Sequence, residues 1–129
     1  MASYVPNERR VVITGMGDVT PRGNRVDEFW QGCLEGRSGI DWITLFDYSA
    51  YPVKIDGEVR NFDPQNYMDR KDARRMARFS QLSVAAARMA IADAELKVED
   101  EDTTRIGVLL GNGNGGLPES DDQMHTIME

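Results

Sequence analysis

Apolar and polar positions fall into two regular patterns near the two ends of the chain, with an irregular stretch between them. Arg10 to Gly17, RVVITGMG, is a β-branched run closed by two glycines, the pattern of a buried strand that ends in a turn. Val26 to Leu34, VDEFWQGCL, places Phe29, Trp30, Cys33 and Leu34 on one helical face. Gly36 stands just past its end, where a left-handed cap costs little. A strand, a glycine turn and a helix open an α/β unit. From Arg37 to Met68, prolines, glycines and aromatics alternate without a sustained period. Within it KIDGEV predicts a short surface strand, and the rest is expected as a loop that packs through Trp42, Phe46, Tyr51 and Phe62.

The pattern is strongest from Asp69 onward. Asp69 suits an N-cap, Asp72 falls in the first turn, and ARRMARFSQLSVAAARMAIADAEL continues without a breaker, which predicts a helix of about twenty-five residues. Met76, Phe79, Ser83, Ala86, Ala87, Ala90 and Ala94 share one face, and most are small. Small side chains let a helix approach its neighbour closely, so this face is expected tight against a sheet. The acidic KVEDEDTT reads as a solvated loop. A second strand is expected over Arg105 to Leu110, then the glycine-rich GNGNGG, then a helix from Pro118.

Composition narrows the class. The 129 residues make one ordinary domain, with a hydrophobic fraction of 40% and 12 glycines. Fifteen basic against 22 acidic residues give a net charge of −7, which argues against a general affinity for nucleic acid or an anionic membrane. The single cysteine cannot form an internal disulfide, MASYVPNERR has no apolar signal core, and no run is long enough to span a membrane. The expectation is a soluble cytoplasmic domain with no metal and no cofactor.

Two features carry candidate chemistry. Arg70, Lys71, Arg74, Arg75 and Arg78 fall within nine positions, and the last four follow the i, i+3, i+4, i+7 spacing of one helical stripe. Such a stripe is either a solvated face paired with Asp69 and Asp72 or a local steering surface for an acidic partner. GNGNGG formally satisfies G-x-G-x-x-G after a strand, so a dinucleotide site has to be weighed. Against it, the fingerprint belongs on the first strand of its unit, and the acidic ribose ligand about twenty residues on would lie past Glu129. Cys33 sits on an amphipathic helix face as a small hydrophobe, and one histidine, His125, completes no triad with it.

The blocks RRVVITGMGDVTPRGN, FWQGCLEGRSGI, VKIDGEVRNFDP, YMDRKDARRMARFSQ, AAARMAIADAEL and RIGVLLGNGNGGL, in this order, resemble the N-terminal segment of β-ketoacyl-acyl carrier protein synthases, the elongating condensing enzymes. The resemblance implies an α/β, partial thiolase-like fold, part of the N-terminal half of an αβαβα sandwich, normally in a homodimer. It implies an acyl transfer in which a cysteine thiolate takes the acyl group and two histidines assist decarboxylation and oxyanion stabilisation. Residues 1–129 would be the N-terminal portion of that domain, ending before the cysteine block, so the chain alone is expected to be inactive. Cys33 and His125 match positions outside the catalytic set.

The same resemblance assigns Lys71, Arg74 and Arg75, with Arg78 on their stripe, to a surface that meets acyl carrier protein. It assigns Gly113, Asn114 and Gly115 to a turn lining the acyl pocket. Asp18, Arg22 and Asn114 are polar where the family is usually apolar, and Glu95 stands where a helix-capping glycine is usual. A polar group in a dry tunnel costs several kcal/mol unless paired. The implied partners are acyl carrier protein and either further copies or the missing C-terminal half. Two alternatives stand beside the synthase portion: a non-catalytic module that docks on carrier or synthase, and a nucleotide-binding α/β domain.

Overall fold

The computed structural model describes residues 10–129. The N-terminal MASYVPNER, where a signal core was sought, lies outside the described residues. Helix α1 (Val26–Leu34) forms where the periodicity places it. Asp27 and Glu28 occupy its first turn, where the helix dipole favours negative charge, and Glu28 Oε2 reaches back to the Asn24 N–H at 2.8 Å. It closes with both bonds of a Schellman motif: Gly36 N–H to the Cys33 carbonyl at 3.1 Å and Arg37 N–H to the Gly32 carbonyl at 2.9 Å. Gly36 takes the left-handed conformation at φ 66°.

The irregular middle holds a two-stranded antiparallel sheet, β1 (Asp41–Trp42) with β2 (Ile55–Asp56), so the KIDGEV strand forms but only over two residues. Its aromatics meet in pairs, but Trp42, Phe46 and Tyr51 stay more than half exposed, so the loop does not pack through them as expected. Trp42 stacks on Tyr48, Phe46 meets Tyr51 edge to face, and Phe62 lies nearly parallel to Tyr67 at 5.8 Å.

The long helix is broken in two. α2 (Arg70–Ala73) ends, Ala77 is extended at ψ 152°, and α3 runs from Arg78 to Asp93. No proline or glycine causes the break. Gln81 holds it open, because its Nε2 donates to the carbonyls of Ala73 at 2.7 Å and Met76 at 3.3 Å, giving the end of α2 the partners that a continuous helix would supply. α3 ends at Ala94 with the same Schellman pair as α1: Leu96 N–H to Ile91 and Glu95 N–H to Ala92, both 3.1 Å. Here the left-handed residue is Glu95, at φ 50°.

Neither predicted strand joins a ladder. Among the described residues Arg10–Gly17 is irregular and unpaired, with Val11 93% and Ile13 83% exposed. Arg105–Leu110 begins as the end of a 3-10 turn (Thr103–Arg105), is extended at Ile106 and continues without regular structure, with Leu109 97% exposed. A strand is defined by its neighbour, and among the described residues neither run lies beside one. The close approach of α3 does occur, against the first of these runs rather than a sheet. A side chain at Gly15 would strike the backbone of Ala90 and Ala94, and one at Gly17 the backbone of Ala86 and Ala90. Met16 N–H also donates to Asp93 Oδ2 at 2.9 Å.

α4 (Leu117–Met128) follows the glycine turn, as the segment from Pro118 suggests, with Gly116 at φ 86° before it. Among the described residues the buried apolar ones are Ile43 beside β1, Met68, Ala73 in α2 and Ala85 in α3. Among the described residues no helix is long and apolar enough to cross a membrane.

Candidate functional site

Arg70, Lys71, Arg74 and Arg75 line one open cleft of about 630 Å³ on α2 and the turn that ends it. All four are exposed, and among the described residues none is in an ion pair, so the pairing with Asp69 and Asp72 does not form. Four free cations on one cleft of a chain with net charge −7 make a local anion-attracting surface. Arg78 is separated from it. The break turns α3 away, and the Arg78 guanidinium lies 4.7 Å over the Phe62 ring and donates to the Val59 carbonyl at 3.3 Å. The expected four-residue stripe is thus three residues joined by Arg70, with Arg78 serving the packing of the loop.

The glycine turn lies at the far side of the same helix start. Gly113 has open space where a side chain would be, Asn114 is exposed in the left-handed region at φ 58°, and Gly115 lies against the Phe79 ring. The Gly115 N–H is taken by Asn112 Oδ1 at 3.0 Å. No strand leads into the turn, and at its far end Glu119, in the first turn of α4, already accepts from the Arg78 N–H at 3.0 Å. A phosphate cradle needs a strand before the turn and free N–H groups beyond it. The dinucleotide reading has neither the strand nor, with an acidic side chain at this helix start, a favourable field for phosphate.

The polar residues of the first turn are half-buried. Arg22 lies across Gly32, its guanidinium 5.7 Å from the Phe29 ring, and donates to Cys33 Sγ at 2.9 Å. Asp18 Oδ2 and Arg22 Nε are buried without a hydrogen-bond partner among the described residues. Burial pushes the Asp18 carboxyl above its ordinary value, partly offset by the Val19 N–H. Cys33 is half-buried on α1, and His125 is exposed on α4 with Asp121 3.8 Å away.

One ionic cluster has no signature in the sequence. Glu58 is buried and accepts from the Thr44 hydroxyl and N–H, both at 2.7 Å, and from the Leu45 N–H at 3.0 Å. The Thr44 bonds, then Leu45 and the nearby Arg60, hold its carboxyl below the usual range. Arg60 bonds Asp41 and the Trp42 carbonyl, both at 2.8 Å. The cluster clamps the hairpin and touches neither the basic cleft nor the glycine turn.

These features define a partial α/β unit that carries a basic cleft and an exposed glycine turn around one helix start. Residues 8–128 match the family model of the beta-ketoacyl synthase N-terminal domain, and the chain belongs to that family. It is 44% identical over 122 residues to a 3-oxoacyl-[acyl-carrier-protein] synthase 2 of Synechocystis, covering 95% of this chain and 29% of the relative. Against the enzyme of the same name from Staphylococcus aureus strain N315 the identity is 48% over 109 residues, covering 84% and 26%. The chain therefore spans little more than a quarter of these relatives' length. Its backbone also follows that of a solved structure described as the ishigamide ketosynthase/chain length factor, with a TM-score of 0.63 and 40% identity over 71% of this chain and 23% of the other. The backbone is similar to part of that structure, although among the described residues neither Arg10–Gly17 nor Arg105–Leu110 pairs as a strand.

Proposed function

We propose that this chain is the N-terminal portion of a 3-oxoacyl-[acyl-carrier-protein] synthase and supplies its carrier-docking surface and one wall of its acyl pocket. The observation that carries the reading is the cleft of Arg70, Lys71, Arg74 and Arg75, four cations with no ion-pair partner among the described residues, on an otherwise acidic chain. Their fixed positions on α2 and its terminal turn suit an acidic helical partner, and arginine forks suit carboxylates and phosphate. Gly113, Asn114 and Gly115 would form the pocket wall, and the two runs left unpaired among the described residues would take strand positions in an αβαβα sandwich. Decarboxylative condensation needs a cysteine nucleophile and two histidines, which residues beyond this chain would provide. Alone, the chain binds carrier but condenses nothing.

A titration with acyl carrier protein tests this. Binding is expected to be weak, to fall steeply as salt is raised, and to vanish in the R74E/R75E double variant. Binding that ignores both salt and those substitutions removes the reading. The half-buried Asp18 and Arg22, whose Oδ2 and Nε find no hydrogen-bond partner among the described residues, favour a second reading, a non-catalytic module that docks on carrier or synthase and encloses no long acyl chain. It keeps the carrier titration unchanged and differs in that adding the rest of a synthase in trans restores no condensation.

A further inference from the structure

The start of α3 needs a partner that its own sequence does not offer. Ala77 precedes the first turn, extended at φ −59° and ψ 152°, and an alanine presents no side-chain acceptor to the free N–H groups that follow. The Arg78 N–H nevertheless meets Glu119 Oε1 at 3.0 Å, from a residue 41 positions on in the first turn of α4. A carboxylate at this point also faces the positive end of the helix dipole. Between these two residues lies the glycine turn, with Gly115 and Gly116 against the ring of Phe79, the second residue of α3. Across the break from Arg78, Arg74 and Arg75 line the basic cleft.

We propose that Glu119 is a positioning residue, a remote N-cap that ties the glycine turn to the start of α3, so that the turn and the basic cleft are linked through one helix terminus. A partner that orders the cleft would thereby order the turn. The link to a carrier rests on the reading of the cleft given above; the tie itself rests on the hydrogen bond alone.

Backbone hydrogen exchange on the 129-residue chain separates the two. E119A should speed exchange at residues 78–82 and at residues 112–117, by roughly fivefold, the size of losing one helix cap. E119Q keeps the acceptor and should stay near the parent. Adding A77D to E119A supplies a local cap, and should restore protection to the start of α3 while leaving the turn unprotected. If A77D restores both segments, or if E119A leaves the turn unchanged, Glu119 is no tie and the proposal fails. With acyl carrier protein present, exchange at 112–117 should slow in the parent and not in A77D/E119A. Equal slowing in both chains overturns the link, whereas a carrier that binds neither chain removes the docking reading and leaves the tie to be judged by the first comparison.

Discussion

Gly36 and Glu95 occupy the same structural position, the left-handed residue that closes a Schellman motif, at φ 66° and φ 50°. The first is free of strain because it has no Cβ; the second crowds its own carbonyl. Glu95→Gly is therefore expected to raise stability by about 1 kcal/mol, part of the relief being offset by the larger freedom of glycine in the unfolded chain. The urea midpoint should rise with an unchanged slope, and a midpoint that stays or falls would show that the glutamate is not strained. Gly36 was legible from the helix that ends before it, and Glu95 from the family resemblance, which has a capping glycine there. Glu58 and Glu119 were not. Each carboxylate acts on backbone groups remote along the chain, Glu58 on Thr44 and Leu45 and Glu119 on Arg78, and no local pattern announces such a contact.

Among elements, α1, α4 and the short KIDGEV strand were legible, whereas the two longer predicted strands did not form, for one physical reason. A helix satisfies its backbone within itself, so α1 and α4 follow from periodicity, glycine and proline. A strand depends on a partner, and among the described residues RVVITGMG and RIGVLL have none. The break between α2 and α3 was hidden because a glutamine side chain, and no breaker residue, holds it. The small residues of α3 do permit a close approach, to residues 15–17 rather than to the expected sheet, and this makes a sharp prediction. Gly17→Ala would drive a methyl into the backbone of Ala86 and Ala90, which cannot swing aside as a side chain could. A loss of about 1–3 kcal/mol is expected, as for other overpacked sites. Gly107→Ala, with open space at the same point, should stay within about 0.5 kcal/mol of the parent. Equal effects of the two in parallel melts would mean that α3 does not press on residues 15–17.

At the scale of the whole molecule, exposed area decides the behaviour. A compact monomer of 14.5 kDa exposes roughly 6,900 Å², whereas this chain exposes 11222 Å². Highly exposed large apolar side chains include those of Val11–Ile13, of Val108–Leu110, and of Ile127 and Met128 at the end of α4. The first two stretches also have no strand partner among the described residues, and unpaired backbone is a template for another chain. A net charge of −7 opposes association at long range but is screened within about 8 Å at physiological salt, whereas burial of apolar surface is not. The isolated chain is therefore expected to self-associate as concentration rises, more readily at high salt, and to bind dyes that seek apolar surface. This salt response is opposite in sign to that of carrier binding, so the two can be told apart in one titration series. Val11→Glu with Leu109→Glu should shift the mass measured by light scattering toward the monomer and reduce dye binding together. A parent chain that stays monomeric at every concentration and unfolds in one sharp transition would mean that these runs find partners within the chain, and that the open surface described above closes in solution.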